Sequence, residues 1–395
     1  MLTALTKEGK VYNLAGCKDD YHLDNLKKKV QFYCPVCQEP VILRAGSQKI
    51  PHFSHQKSSN CASISEPESL RHMQGKKDLY LWLVNQRFKV YLERYLPRLK
   101  QRPDILFNKN GKWFAVEYQC SPISIKLLTQ RTNGYAKHHI SPIWIMGGYP
   151  FQHRKGAFFQ LSDFHWSFIQ ASEKIGLTLF SYTPHSRYFH FLSNISPISS
   201  RKVQGTYTKI SLDHMTFPIL LSNTISQKQP INAYWFLQKR KWLQNKIIYS
   251  KAFQDPFLIS LYECNSHPSL LPSVIGLPVD YMGVCKTHPV VWQFYIWHDC
   301  LRFLKTGDRM SFKQVRNAIE SRKRSQHIQF RCLPFVPTSY QNRMIYLYLQ
   351  TLVHFSYLKE IKKGTFVLHK MITFPKNMEE ALLFDKEFLH ELDDK

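Results

Sequence analysis

Apolar and polar positions alternate most regularly between residues 101 and 119, Gln-Arg-Pro-Asp-Ile-Leu-Phe-Asn-Lys-Asn-Gly-Lys-Trp-Phe-Ala-Val-Glu-Tyr-Gln. Alternation at period two marks strands, and Asn110-Gly111 in its middle is the signature of a two-residue type I′ hairpin turn. With those two residues in the turn, Lys109 pairs with Lys112. Each outward step keeps the register, so Asp104 faces Glu117. Directly opposed residues have Cβ atoms about 4.5–5.5 Å apart. Ile105, Phe107, Phe114, Val116 and Tyr118 then share one apolar face, and Asp104, Glu117 and Gln119 lie on the other.

The flanking patterns extend this hairpin into a larger unit. Pro67 to Gln86 reads as a helix with Glu68, His72 and Lys76 at four-residue steps along one stripe. Phe88 to Leu92 is a short strand. Ser121-Pro122 opens a second helix through Leu127, Gln130, Arg131 and Tyr135, and Ile143 to Met146 is a strand ended by Gly147-Gly148. The fold class is therefore α/β (α+β), with the order αβββαβ at its centre.

The pattern changes divide the chain into residues 1–62, 63–150 and 151–395. The first stretch has two short strand-like runs around Lys7 to Lys10, then a Cys/His-rich segment. Beyond Pro150 the chain is less regular, and Leu192 to Ser200 reads as a Ser/Pro-rich loop. The last third turns helical, and there Ser311 and Gln314 form a capping box. Met344 to Leu358, followed by the Gly-centred basic hairpin of Lys359 to His369, would suit a winged-helix module; a plain helical domain explains the same letters. Glu379 to Lys395 reads as an acidic terminal helix.

Cys34-Pro-Val-Cys37 and His52-Phe-Ser-His55 flank Pro40 to Ile50, which reads as strand, Gly turn, strand. Two thiolates from a tight knuckle and a second pair beyond a hairpin make the tetrahedral donor set of a structural zinc ion. Cys61 could replace either histidine, so the fourth ligand stays open. Cys17, Cys264, Cys285, Cys300 and Cys332 have no ligand spacing and read as inert core residues. The nine cysteines are odd in number, and the opening ten residues lack a signal peptide's apolar core. Both features point to a reducing cytoplasm.

Charge narrows the partners. The chain has 54 Lys and Arg against 28 Asp and Glu, a formal net charge of +26. Such an excess favours a polyanion. No run approaches the ~18 apolar residues of a spanning helix, so nucleic acid is preferred to a membrane. In so basic a chain, two acids facing each other call for a cation, because opposed like charges destabilise a sheet. Carboxylate oxygens suit Mg²⁺ or Mn²⁺. The alternative places one acid at a frayed strand end, paired with Arg102 or a lysine. Trp235, Phe236, Lys239, Arg240, Lys241 and Trp242 could stack bases on a single strand, but an amphipathic helix with core aromatics is preferred. Arg322-Lys323-Arg324 carries the same two readings.

Arg102-Pro-Asp104 on one strand and Glu117-Tyr-Gln119 on the next resemble the PD-(D/E)XK nuclease superfamily. Together with Cys34-x-x-Cys37, His52-Phe-Ser-His55 and Glu68-Ser-Leu-Arg-His72 with Lys76, the arrangement is similar to the competence protein CoiA family. The resemblance is clearest over residues 1–150. It implies a protein of competent Gram-positive bacteria that acts on incoming DNA, single-stranded or branched, with recombination proteins as partners. It further implies Asp104 and Glu117 as Mg²⁺ ligands, Glu68 as an additional acid, and Gln119 in the place usually held by lysine. That departure matters, because glutamine hydrogen-bonds but brings no charge. Either Lys76 supplies the cation, or cleavage is slow, or the site only grips DNA. His72 could be a general base or a hydrogen-bonded support.

Overall fold

In the computed structural model the hairpin closes where Asn-Gly predicts it: Asn110 has φ 50° and Gly111 φ 82°, and Lys109 pairs with Lys112. The structure describes all residues except 18–19, 47–48, 57–60, 62–67, 150–151, 155–156, 220–232 and 394–395. They form two units. The first holds residues 1–150, 180–191 and 208–224, and the second holds 151–179, 192–207 and 225–395.

The first unit opens with β1 (Thr3–Thr6), β2 (Val11–Asn13), α1 (Asp20–Lys29), β3 (Phe32–Tyr33), β4 (Pro40–Gly46) and β5 (Lys49–His55). The strands form an antiparallel sheet in the order β2-β1-β3-β4-β5, and β4 with β5 is the expected hairpin. Next come α2 (Leu70–Asn85), β6 (Lys89–Leu92), β7 (Ile105–Lys109), β8 (Lys112–Gln119), α3 (Ile125–Lys137) and β9 (Ile140–Gly147). This is the predicted helix, three strands, helix, strand. Strands β6, β7 and β8 are antiparallel neighbours, and the α3 crossover returns β9 parallel to β8, as a helical connection allows.

Helix α2 starts later than the pattern suggests, with Ser69 as its N-cap; the proposed first residue, Pro67, lies outside the described residues. Helix α3 likewise starts after Pro122, capped by Ser124. Both faces of the sheet are covered. Ile105, Phe107, Val116 and Tyr118 pack with Leu79 and Leu83 of α2, while Leu106 and Ala115 pack with Tyr135 of α3.

The second unit begins with β10 (Gln152–Arg154), β11 (Phe158–Gln160), α4 (Asp163–Trp166) and β12 (Gln170–Ser172). Then follow β13 (Gly176–Thr183), β14 (Tyr188–Pro197) and β15 (Lys202–Ser211), whose residues 180–191 and 208–211 belong to the first unit. There Ser181 continues the parallel sheet beside Met146 of β9. Leu192 to Ser200, read as a loop, is strand as far as Pro197: Leu192 and Ile195 are buried, and burial outweighs the serines as a turn signal. From Ala233 on the unit is mostly helical, with α5 (Ala233–Tyr249), α6 (Pro256–Tyr262), α7 (Pro289–Ile296), β16 (Arg309–Ser311), α8 (Phe312–Arg324), α9 (Ser339–His354), β17 (Leu358–Lys362), β18 (Thr365–Leu368) and α10 (Met378–Asp393). The capping box at Ser311 and Gln314 is present. The sheet order β16-β18-β17 with α7, α8 and α9 follows the strand and helix order of a winged helix. Among the described residues no helix is long and apolar enough to cross a membrane.

Two core positions yield predictions. A Cβ on Gly75 of α2 would meet the Tyr118 ring at 2.1 Å, and that ring is 1% exposed. Gly75→Ala should destabilise the protein by about 1–3 kcal/mol in denaturant unfolding. In α5, Trp235, Phe236 and Lys239 are buried, so these three are core while Lys241 stays exposed, and Lys239 donates to the Pro272 carbonyl at 2.9 Å. Burial lowers its pKa from 10.5 to about 8. Between those values the unfolded chain binds more protons than the folded one, so stability rises with pH across that window. Lys239→Met should flatten the rise when unfolding is measured from pH 7 to 11.

Candidate active site and candidate metal centre

The strand register brings three acids to one end of the sheet. Pairing of β6 with β7 runs from Lys89↔Asn108 to Leu92↔Ile105, and one step further sets Glu93 against Asp104. Their backbones do meet there, Glu93 N donating to the Asp104 carbonyl at 2.9 Å. Pairing of β7 with β8 ends at Ile105↔Val116, and the next step sets Asp104 against Glu117. Asp104 stands just beyond the regular ladder, and its Oδ2 accepts the Tyr118 backbone N–H at 2.8 Å. It is therefore drawn toward α2, instead of standing squarely across from Glu117 as an ideal ladder would have it. His72 Nε2 lies 3.3 Å from Oδ2, and Lys76 Nζ 3.7 Å from Oδ1.

Lys76 is the hub. Its side chain is 0% exposed, and Nζ donates to Glu68 at 2.7 Å and to Glu93. Glu68 precedes the helix instead of lying on it, yet still reaches Lys76. Glu93 also accepts the backbone N–H groups of Leu2 and Thr3 at 2.8 and 3.0 Å. Burial acts to raise the Glu93 carboxyl, but Lys76 outweighs it and holds the pKa at about 2.

Glu117 draws its partners from the other side of the sheet. Arg131 and the Tyr135 hydroxyl of α3, four residues apart and so on one helix face, both donate to its Oε1. The two central acids are pushed apart. Burial, reinforced by the Asp104 charge, raises Glu117 against the pull of Arg131. Asp104 is lowered, because His72 and Lys76 overcome its burial, and His72 is raised in return, the Asp104 charge overcoming burial. Opposite displacement of paired carboxyls is how a site separates an ionised group from a proton-holding one.

The acids are thus compensated by the chain itself. Glu68, Glu93, Asp104 and Glu117 face Lys76, Arg102, Arg131 and the N-terminal ammonium of Met1, which lies 3.3 Å from Glu68, four negative charges against four positive before His72 is counted. The expectation that only a divalent cation makes the opposed acids tolerable is corrected by this neighbourhood. Among the described residues Asp104 Oδ1, 3.7 Å from Lys76 Nζ, and Glu117 Oε2 accept no hydrogen bond, leaving one oxygen on each that could serve Mg²⁺, an ion that keeps most of its waters. Gln119 turns away, its amide donating to the Ser121 carbonyl at 2.9 Å.

Sequence reasoning missed Glu93, Arg131 and Tyr135 as site residues. Continuing the β6–β7 register by one residue would have found Glu93. Arg131 and Tyr135 lay on a recognised helix, but their approach to Glu117 follows from the crossover, which no local pattern encodes.

The second cluster lies in the first sheet. Cys34, Cys37, His55 and Cys61 place their ligand atoms within 4.8 Å of one another, a set compatible with structural zinc. His52 is not part of it. His52 and His55 are an odd number of positions apart on β5, so they point to opposite faces, and His52 Nδ1 bonds to the Ile50 carbonyl at 2.9 Å. Cys61, 3.9 Å from Cys34 Sγ, takes the fourth place. Burial and the neighbouring thiols push Cys37 up to about 12, a conflict that zinc relieves by binding thiolates.

Comparison with known proteins agrees over most of the chain. Residues 15–64 match the family described as competence protein CoiA, N-terminal domain, residues 68–225 its nuclease-like domain, and residues 231–382 its C-terminal domain. A protein named "Competence protein CoiA" from Bacillus subtilis (strain 168) is 32% identical over 290 residues, covering 73% of this chain and 75% of that protein. No solved structure matches the chain.

Metal analysis of the purified protein should find zinc, lost in Cys61→Ser and kept in His52→Ala. The reverse pattern would put His52 back in the donor set. Because the donor thiolates must be deprotonated, zinc affinity should fall as pH is lowered.

Proposed function

The chain belongs to the competence protein CoiA family, and from that premise we propose that it processes DNA taken up in natural transformation and so promotes its recombination. The reading places a divalent-cation site at Asp104 and Glu117, with DNA as substrate and other recombination proteins as partners. It rests above all on one observation: at the end of a nuclease-like sheet a half-buried aspartate and a buried glutamate, one lowered and one raised in pKa, each keep, among the described residues, an oxygen free of hydrogen bonds.

Asp104 and Glu117 would hold Mg²⁺ or Mn²⁺, and an ion held there would supply Lewis-acid chemistry toward a phosphate and its attacking water. The protein's part is positioning. Asp104 stays ionised because His72 and Lys76 favour its charge. Glu117 is pinned by Arg131 and Tyr135 and gives up its proton less readily. His72, spent on Asp104, acts as a support rather than a base. Zinc at Cys34, Cys37, His55 and Cys61 is structural, because four protein donors leave no open position.

A second reading, a DNA-binding mediator that retains the fold without cleaving, is favoured by the cations. Gln119 is committed to Ser121, and Lys76 is sealed beneath three carboxylates. Neither Gln119 nor Lys76 therefore offers a mobile ammonium to stabilise charge on the phosphate.

One assay separates the readings. Purified protein is incubated with single-stranded, duplex and branched DNA in Mg²⁺ or Mn²⁺. Slow cleavage is expected, falling roughly a hundredfold or more in Asp104→Asn and Glu117→Gln, the scale of losing one charge-stabilising group, with DNA affinity retained. Absence of cleavage on every substrate with both ions sinks the hydrolytic reading and leaves the mediator.

A further inference from the structure

The basic charge of the second unit is not spread evenly. Arg322 and Lys323, in the run that stands out in the sequence, are occupied: Arg322 pairs with Asp299 and lies over the Tyr295 ring at 4.0 Å, and Lys323 pairs with Glu320. A different group of cations is unspent. Arg309 on β16, Lys313 and Arg316 on α8, and Lys362 and Lys363 at the β17–β18 turn are all exposed. Among the described residues none of the five takes part in an ion pair.

The backbone holds them together. Phe312 N donates to the Gly364 carbonyl at 2.8 Å, joining the start of α8 to the turn that carries Lys362 and Lys363. Ser311 and Lys362 both face Thr365, and Arg309 faces Val367 two residues along the same strand. Lys313 and Arg316 are three residues apart on α8 and so share a face. The acids beside them are engaged: Asp308 accepts the Lys305 backbone N–H at 2.8 Å, while Glu360 accepts from Tyr346, Gln350 and the Gly364 backbone. Lys313 and Arg316 also stand near the N-terminal end of α8, which lacks acidic residues and where the helix dipole opposes a cation. Their placement works against the fold and suits an external anion.

The neighbourhood indicates which anion. Non-specific single-strand binders pair cations with exposed aromatic platforms, but here Phe366 is buried and the Tyr346 hydroxyl is held by Glu360. A base-reading helix needs a free polar face. Helix α9, in the position such a helix would take, exposes only Ser339, Arg343 and His354, and Arg343 is paired with Glu173 at 2.7 Å. Cations whose neighbouring rings, Phe312, Tyr346 and Phe366, are half-buried or buried, and which have no free reading helix beside them, match the regular phosphate rows of a double strand.

We propose that Arg309, Lys313, Arg316, Lys362 and Lys363 form a duplex-DNA backbone grip in the second unit, separate from the acid site of the first and indifferent to base sequence. It rests on the reading of DNA as partner, but not on cleavage.

The test uses the full chain with Lys313, Arg316, Lys362 and Lys363 all changed to Gln, and a control with the exposed Lys241 and Lys251 changed to Gln. Binding of fluorescent random-sequence duplexes, oligo-dT and phosphatidylglycerol vesicles is followed against salt. Each lost phosphate contact removes about 0.9 from the slope of log affinity on log salt. The fourfold variant should lose roughly 3.6 units of slope and at least about tenfold in duplex affinity, equally for unrelated sequences, while the control keeps both. An unchanged slope in a variant that still unfolds cooperatively overturns the grip. So does an equal loss in the control, a loss confined to oligo-dT or vesicles, or a loss confined to one duplex sequence. Cleavage by the variant on DNA held at saturating concentration reports on the acid site separately, so either reading can fail while the other stands.

Discussion

Lys76 has no exposed side-chain surface, and its ammonium is stable there because Glu68, Glu93 and Asp104 converge on it. Removing one partner of such a buried cluster typically costs about 3–5 kcal/mol, since the remaining charge is left uncompensated. The three acids come from the approach to α2, the end of β6 and the start of β7. One ammonium therefore ties the helix to two strands, and through Glu93 to the backbone of Leu2 and Thr3. The order of the candidate site is in this sense a by-product of neutralising one lysine.

The same arrangement separates the two central acids chemically. Asp104 lies within reach of the lysine and is held ionised, whereas Glu117 answers to Arg131 and Tyr135 across the sheet. Two carboxyls of similar intrinsic acidity thus acquire different proton affinities from the helix each one meets. The crossover that makes β9 parallel to β8 is what sets α3 on the Glu117 side. Topology and acidity have one origin.

Much of this was legible from residues 101–119. Period-two alternation and Asn110-Gly111 determine the register, because a one-residue slip would put Phe107 and Val116 on the wrong face. The capping box at Ser311 and the β4–β5 hairpin were legible for similarly local reasons. What could not be read were contacts closed by distant chain. Arg131 reaches Glu117 only through the crossover, and residues 180–191 and 208–224 return to the first unit without a pattern announcing it. The direction of His52 was within reach, since strand alternation alone separates it from His55.

Charge shows the same division between local and distant information. Composition establishes a surplus of cations but not which of them are spent inside the protein. Lys76, Arg131, Lys239 and Arg322 are held by carboxylates, carbonyls or rings, so the densest basic runs contribute less to the outer field than their letters suggest. Among the described residues the cations at the β16–α8 junction take part in no ion pair, and their charge is screened chiefly by solvent and salt. The first unit therefore carries an acid cluster whose charges nearly cancel, and the second an exposed basic face whose charges do not. On the reading proposed above, holding a polyanion and acting on it fall to different residues, because a site as nearly neutral as that of Asp104 and Glu117 exerts little pull of its own.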